Sequence, residues 1–323
     1  MEIFVGMLAI AISIAALPVA GADAPGYPNK TIRIVVPFPP GGISDVMSRV
    51  FGQKFTDSWN QPVIIENRAG AGGNIGSDIV AKSPPDGYTL VMGSIGTHAV
   101  NASLFSKMPY DTVKDFAPVA LVVEADGLLV LHPSVPVKTV KDLIAFARAR
   151  PGQLAYASAG NGTASHLAGE LFKSLAKIDL VHIPYKGNVP AITDLVGGQT
   201  SMLFATMPTV LPLARAGKLH ALAVTGAQRN PAAPEIPAMA ETLPGFDVTN
   251  WIGLFAPAGT PADIVAKLNT EAMRIMRLPE VQSRLLNEGA KSRPNTPVEF
   301  GAFVKTEMAR WGKVIRQAGV RAD

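Results

Sequence analysis

The chain reads as an α/β protein built in two lobes, each a doubly wound α/β domain, joined by a two-strand hinge with a cleft between them. Three observations predict this. Short, apolar, β-branched runs alternate with segments carrying apolar residues at helical spacing. The alternation begins at Thr31, stops near Phe116 and begins again near Thr139. Two longer strand-like runs, Phe116–Leu131 and residues 248–255, bracket the second set. A chain that crosses between lobes near 118–130 and returns near 247–256 satisfies all three. The expected partition is residues 23–125 with 248–323 in lobe one, and residues 126–247 in lobe two.

The elements follow in order. Residues 31–36 form a buried parallel strand, and Ser44 and Asp45 are placed to cap the next helix, whose apolar face carries Met47, Val50, Phe51 and Phe55. Residues 63–66 are the second strand. Gly70–Gly76 is a glycine-rich turn into a helix, and residues 88–92 are the third strand. The long run Phe116–Leu131 is interrupted by Glu124-Ala125-Asp126-Gly127. Thr139 caps a helix through Leu143 and Phe146, residues 154–157 are a strand, and a helix runs through Leu167, Leu171 and Leu175. Strands at Val181–Pro184, 202–204 and 221–224 alternate with helices at 191–196 and 209–216. Three C-terminal helices begin near Pro261, Pro279 and Pro297, because proline is favoured in a first helical turn.

Composition narrows the class. Of 323 residues, 48% are hydrophobic and 17% charged, which is globular and not disordered. The net charge of +4 comes from scattered Lys and Arg with no run of five, so no nucleic-acid partner is expected. Residues 3–17 are almost wholly apolar and lead through Pro18 to Ala20-Gly21-Ala22. This is the pattern of a signal peptide cleaved after Ala22, shorter than the roughly 20 residues that span a bilayer. No Lys or Arg precedes the run, and an uncleaved anchor is the alternative. The chain has no Cys, so it folds without disulfides.

Two strand-to-helix turns carry the chemistry. One is Pro37-Phe38-Pro39-Pro40-Gly41-Gly42-Ile43-Ser44-Asp45; the other is Ser158-Ala159-Gly160-Asn161-Gly162-Thr163-Ala164-Ser165-His166. The unbonded N–H groups of a helix's first turn attract anions, and glycine lets a ligand approach the backbone. Only His166 can add a full positive charge in either stretch. The pattern therefore points to recognition of a carboxylate by backbone, at the carboxyl ends of strands where open α/β sheets bind ligands. Thr163 and Ser165 either donate hydroxyl hydrogen bonds to it or cap the helix. Tyr185 and Lys186, after the strand Val181–Pro184, bring a ring and a cation to the same cleft, or are a packed ring and a surface lysine.

Other chemistries fit poorly. Neighbouring Ser165 and His166 on one helix do not face each other, and there is no Gly-x-Ser-x-Gly elbow, so no catalytic residues are expected. Gly70-Ala71-Gly72-Gly73-Asn74-Ile75-Gly76 departs from the dinucleotide fingerprint and does not follow the first strand. The histidines show no metal-ligand spacing. No metal or cofactor is expected.

Taken together, further stretches resemble a known family. They are Val63-Ile64-Ile65-Glu66-Asn67-Arg68-Ala69-Gly70-Ala71-Gly72-Gly73, Pro85-Asp86-Gly87-Tyr88-Thr89-Leu90, Ala159-Gly160-Asn161-Gly162-Thr163, Pro184-Tyr185-Lys186-Gly187 and Ala256-Pro257-Ala258-Gly259-Thr260-Pro261. With the first turn, they make the chain similar to the Bug-type extracytoplasmic solute receptors of tripartite tricarboxylate transporters. The resemblance implies a two-lobed periplasmic binding protein of type II-like form, not an enzyme, which closes on a small organic acid. It implies delivery, as a monomer, to the large and small membrane subunits of a transporter; presentation of the closed form to a signalling partner is the alternative. Carried over by motif, the ligand contacts are Phe38, Gly41, Gly42, Ser44 and Asp45 from lobe one, with Gly96 and Thr97 as further candidates. From lobe two they are Ser158, Gly160, Thr163, Ser165, His166, Tyr185 and Lys186. The resemblance also implies an acidic residue after Met202-Leu203-Phe204, where this chain has Ala205. That departure predicts a plain organic acid over an amino acid.

Overall fold

The computed structural model describes residues 26–318 and Arg321. The apolar run and the cleavage site at Ala22 lie outside the described residues. In lobe one the parallel strands β1 (Ile32–Val36), β2 (Val63–Asn67) and β3 (Thr89–Ser94) alternate with α1 (Ile43–Trp59) and α2 (Asn74–Ala81). β1 is buried except at Arg33, which pairs with Glu66, as suits a strand flanked on both sides. After β3 the chain passes through a π-helical turn, Gly96–Val100, into the short α3 (Asn101–Leu104).

The hinge is built on β4 (Phe116–Leu131). Its first part runs antiparallel to β9 (Thr249–Pro257), from Phe116 opposite Pro257 to Asp126 opposite Thr249. One residue later the same strand changes partners: Gly127 lies opposite Thr206 of β7 (Met202–Thr206), and Leu128 opposite Val224 of β8 (His220–Val224). The interruption expected at 124–127 is therefore absent. Gly127 explains why: a Cβ there would lie 2.8 Å from Thr225 Oγ1 and 3.1 Å from the Ala205 carbonyl, so glycine admits a partner close on both sides. Pro118 is tolerated within β4 because the register with β9 shifts beside it.

Lobe two contains α4 (Val140–Arg148), β5 (Ala155–Ser158), α5 (Ala164–Ala176), β6 (Val181–Pro184), α6 (Asn188–Val196) and α7 (Met207–Arg215), with β5 parallel to both β6 and β7. The sheet order β2-β1-β3-β9-β4-β7-β5-β6 carries one ladder through both lobes. Thr139 makes the expected cap, accepting the Asp142 N–H while the Asp142 carboxylate accepts the Thr139 N–H, both at 3.1 Å. Ser44 and Asp45 do not cap α1. The N-cap is Gly42, with no side-chain bond, and Asp45 instead reaches back to the Gly41 N–H at 3.0 Å.

The chain returns to lobe one with α8 (Ala262–Met276), α9 (Pro279–Asn287), β10 (Ala290–Lys291) and α10 (Pro297–Ala318). α10 packs on β4 and α3 and also reaches α5. Two indole N–H groups, of Trp251 and Trp311, converge on the Glu307 carboxylate at 3.2 and 3.1 Å inside this contact. One apolar core accordingly runs from Val35 and Phe255 through Trp311 to Tyr156, Phe172 and Phe204, linking the lobes. No helix among the described residues is long and apolar enough to cross a membrane.

Candidate functional site

Between the lobes lies a narrow cleft with a cavity volume of about 80 Å3. Lobe one supplies Phe38, Gly42, Ser44 and Ser94; lobe two supplies Thr163, Ser165, Asn188, Ala205, Thr206 and Thr225; the hinge strands supply Gly127, Asn250 and Ile252. None of the lining residues is Asp, Glu, Lys, Arg or His. The wall is mostly apolar, with Phe38, Ile43, Val189, Phe204 and Ile252, and its polar groups are helix ends, hydroxyls and amides. In α1 the first intrahelical bond is Val46 N–H to Gly42 O at 3.0 Å, so the N–H groups of Ile43, Ser44 and Asp45 have no partner within the helix. In α5 the Thr163 hydroxyl takes the His166 N–H and its carbonyl the Leu167 N–H, which leaves Ala164 and Ser165 in the same condition. α6 begins at Gly187, again with no side-chain cap, and its first residues Asn188 and Val189 line the cleft. The Ser44 and Asn250 side chains line the cleft without a hydrogen bond to another side chain among the described residues.

The structure separates the residues that sequence reasoning grouped together. Phe38, Gly42, Ser44, Thr163, Ser165 and Ala205 line the cleft. Asp45 is not among them. Its carboxylate is fully used within the turn, accepting from Gly41 N, from Arg49 through Nε and a terminal guanidinium nitrogen, and from Asn67 Nδ2 at 2.9–3.1 Å. Asn67 Nδ2 also donates to the Phe38 carbonyl at 3.0 Å, so Asp45 braces the loop. Burial pushes its pKa up, but the bonds from Arg49, Gly41 and Asn67 outweigh this and hold it below the usual carboxylate range.

Ser158 and His166 are not among the lining residues either. Both are buried behind the loop rather than exposed in the cleft. Ser158 Oγ accepts the Gly160 N–H at 3.1 Å and lies 2.6 Å from His182 Nε2. His166 Nδ1 accepts the Gly162 N–H at 3.2 Å, which requires a lone pair on Nδ1 and puts the ring proton on Nε2. Its ring stacks on His182 at 4.3 Å, and His182 stacks on Tyr156 at 4.7 Å. Burial lowers both histidines to about 4, so both are neutral at pH 7.

Thr97 is buried, with Oγ1 taking the Ser94 N–H at 2.9 Å, and Gly96 faces the Gly162 carbonyl instead of the cleft. Gly41 opens on an adjoining groove with Val189. Gly160, Tyr185 and Lys186 line a separate depression across Phe38 and Pro39, where the Tyr185 hydroxyl donates to Asp194 at 2.7 Å.

Sequence reasoning passed over Ser94, Asn188, Thr206, Thr225 and Asn250. For Asn188 a signal existed: Val181–Pro184, then Gly187, then a helix repeats the strand–glycine–helix arrangement of the two main turns. Asn188 Nδ2 donates to Thr206 Oγ1 at 3.3 Å, while its Oδ1 is buried without a partner. No cluster of three or more His, Asp or Glu side chains placed to hold a metal occurs among the described residues.

Two α/β lobes on a shared hinge, closing over a charge-free cleft ringed by helix ends, define a solute-binding protein. The chain belongs to the tripartite tricarboxylate transporter family of receptors, whose model matches residues 47–320. It is 39% identical to the protein BugT of Bordetella pertussis over 304 residues, 94% of this chain and 93% of that protein. Among solved structures it is similar to Rpa4515 of R. palustris with adipate, at TM-score 0.89 and 36% identity, covering 91% of this chain and 99% of the other. It is also similar to MatC from Rhodopseudomonas palustris with bound malate, at TM-score 0.86 and 37% identity, covering 90% and 100%.

Proposed function

We propose that the protein is a periplasmic receptor that captures a small organic carboxylate between its lobes. It delivers the acid, as a monomer, to the large and small membrane subunits of a tripartite transporter. The observation that carries this reading is the cleft lining: helix-end N–H groups and hydroxyls, with no ionisable side chain. Such a surface stabilises an anion through dipoles and hydrogen bonds alone. Four hydrogen bonds to a charged group, at roughly 1.5–3 kcal/mol each, bring affinity into the micromolar range or tighter. The adipate and malate carried by the similar structures have the same chemistry. The signal-like N-terminal sequence accords with export.

The lining also rejects ammonium groups. A ligand amine buried here would meet no counter-charge, at a cost of several kcal/mol, and Ala205 stands where an acid would supply one. Titration calorimetry against adipate, malate, succinate, aspartate and glutamate tests the proposal. The plain diacids should bind at micromolar concentration and the amino acids at least about a hundredfold more weakly, a gap of about 2.8 kcal/mol. Tighter binding of aspartate or glutamate refutes it. Uptake of the bound acid by membranes carrying the transporter subunits, lost when the receptor is omitted, checks delivery.

A further inference from the structure

The lobes also meet away from the cleft, along a seam made almost wholly of backbone. Asn161 and Gly162 of lobe two lie against Gly72, Gly96 and Asn101 of lobe one. A Cβ on Gly72 would lie 2.6 Å from the Asn161 carbonyl oxygen, and one on Gly96 would lie 2.9 Å from that of Gly162. A Cβ on Gly162 would overlap Asn101 Oδ1. Asn101 is completely buried. Its Nδ2 donates to the Gly72 carbonyl at 3.1 Å and to Asn74 Oδ1 at 2.6 Å, while its Oδ1, facing Gly162, has no hydrogen-bond partner. Lobe two's part of the seam is the start of the same loop that carries Thr163 and Ser165 into the cleft, and its other side is pinned by the Gly162 N–H on His166.

We propose that Gly96, with Gly72 and Asn101, positions the 160–165 loop for ligand. None of the three lines the cleft. They let backbone meet backbone, and so set the lobe separation at which the ends of α1 and α5 reach one molecule together. The proposal draws on the receptor reading only for the choice of probe acids.

Gly96 is the discriminating position. Gly72 and Gly162 have φ of +63° and +79°, so alanine there strains the backbone whatever the lobes do. Gly96 sits in a helical turn without positive φ, and its only tight neighbour is across the seam; the next, Ser94 Oγ, is at 3.5 Å. Gly96→Ala is thus compatible with its own lobe and incompatible with the lobe spacing of this structure.

The chain has no Cys, so spin labels on cysteines introduced at the exposed Val113 and Val181 report the distance between lobes without background. With adipate and malate as probes, Gly96→Ala should lengthen that distance and weaken binding at least about tenfold. An unchanged distance overturns the proposal, whether or not the melting temperature falls, because it marks a merely structural role. A longer distance with wild-type affinity also overturns it. If neither acid binds the wild type but Gly96→Ala still opens the lobes, the seam stands and the carboxylate reading falls.

Discussion

At the scale of single residues, the structure divides those that line the cleft from those that hold the loops. Ser44 belongs to the first group, with a hydroxyl at the end of α1 and no hydrogen bond to another side chain among the described residues. Ser44→Ala should weaken diacid binding about tenfold, the worth of one hydrogen bond to a charged group, and leave the melting temperature unchanged; calorimetry and thermal unfolding read the two separately. The buried histidines belong to the second group. Burial puts His166 and His182 near 4 and His98 near 3, all below the 6.5 of an open imidazole. The unfolded chain therefore binds more protons across that interval, and stability rises with pH through it. Their contribution is complete above about pH 6.5 and is lost as pH falls toward 4, each tenfold loss of proton affinity on folding being worth about 1.4 kcal/mol. Thermal unfolding followed from pH 7.5 to 4 should show this acid limb, and His182→Phe should flatten it. An unchanged limb in that variant would remove His182 from the account. Residue types in the two turns were legible, but directions were not. Asp45, Ser158 and His166 look in sequence like ligand groups because they flank glycine turns; hydrogen bonds formed within the folded loops turn all three inward.

At the scale of elements, the strand–helix alternation was readable because both lobes obey simple patterning. Buried strands are continuous apolar runs, and helices start at Thr139, Thr163 and the prolines 279 and 297. What escaped was set by tertiary partners. The π-turn and α3 are too short to show periodicity. The continuity of β4 through Glu124-Ala125-Asp126-Gly127 depends on β9, β7 and β8 lying against it in turn. Gly127 marks that exchange. Gly127→Ala would push a methyl against Thr225 Oγ1 and the Ala205 carbonyl, one of them immovable backbone. We expect a loss of about 1–3 kcal/mol, typical of overpacking, measured by urea unfolding. The loop before α5 gives a second prediction. Thr163→Ala removes the acceptor for the His166 N–H and the donor to the Gly160 carbonyl. It should cost about 1 kcal/mol of stability and weaken ligand binding at the same time, because cap and cleft wall are one residue.

At the scale of the molecule, sequence reasoning reached two lobes, two crossings and an anion cleft, since each follows from where patterns restart along the chain. The further cleft wall, with Asn188, Thr206 and Asn250, comes from three separate elements, and no local pattern records that they meet. Nor does sequence show that α10 reaches α5 and runs one core through both lobes. Lobe movement must therefore bend a shared strand and slide a shared helix. Ligand should shift the lobe distribution rather than create a new shape, and small-angle scattering with saturating diacid should show a smaller radius of gyration than without it. An equal radius in both states would place capture in a cleft that is already closed.

The absence of ionisable groups from the cleft lining also governs speed. Sites that fish for charged solutes with Lys or Arg draw them in through a long-range field, and that pull fades as salt shortens its reach. Dipoles at helix ends act only over the last turn or so. Encounters with this cleft should respond to salt only through the protein's overall charge of +4, since the wall itself offers no ion to be screened.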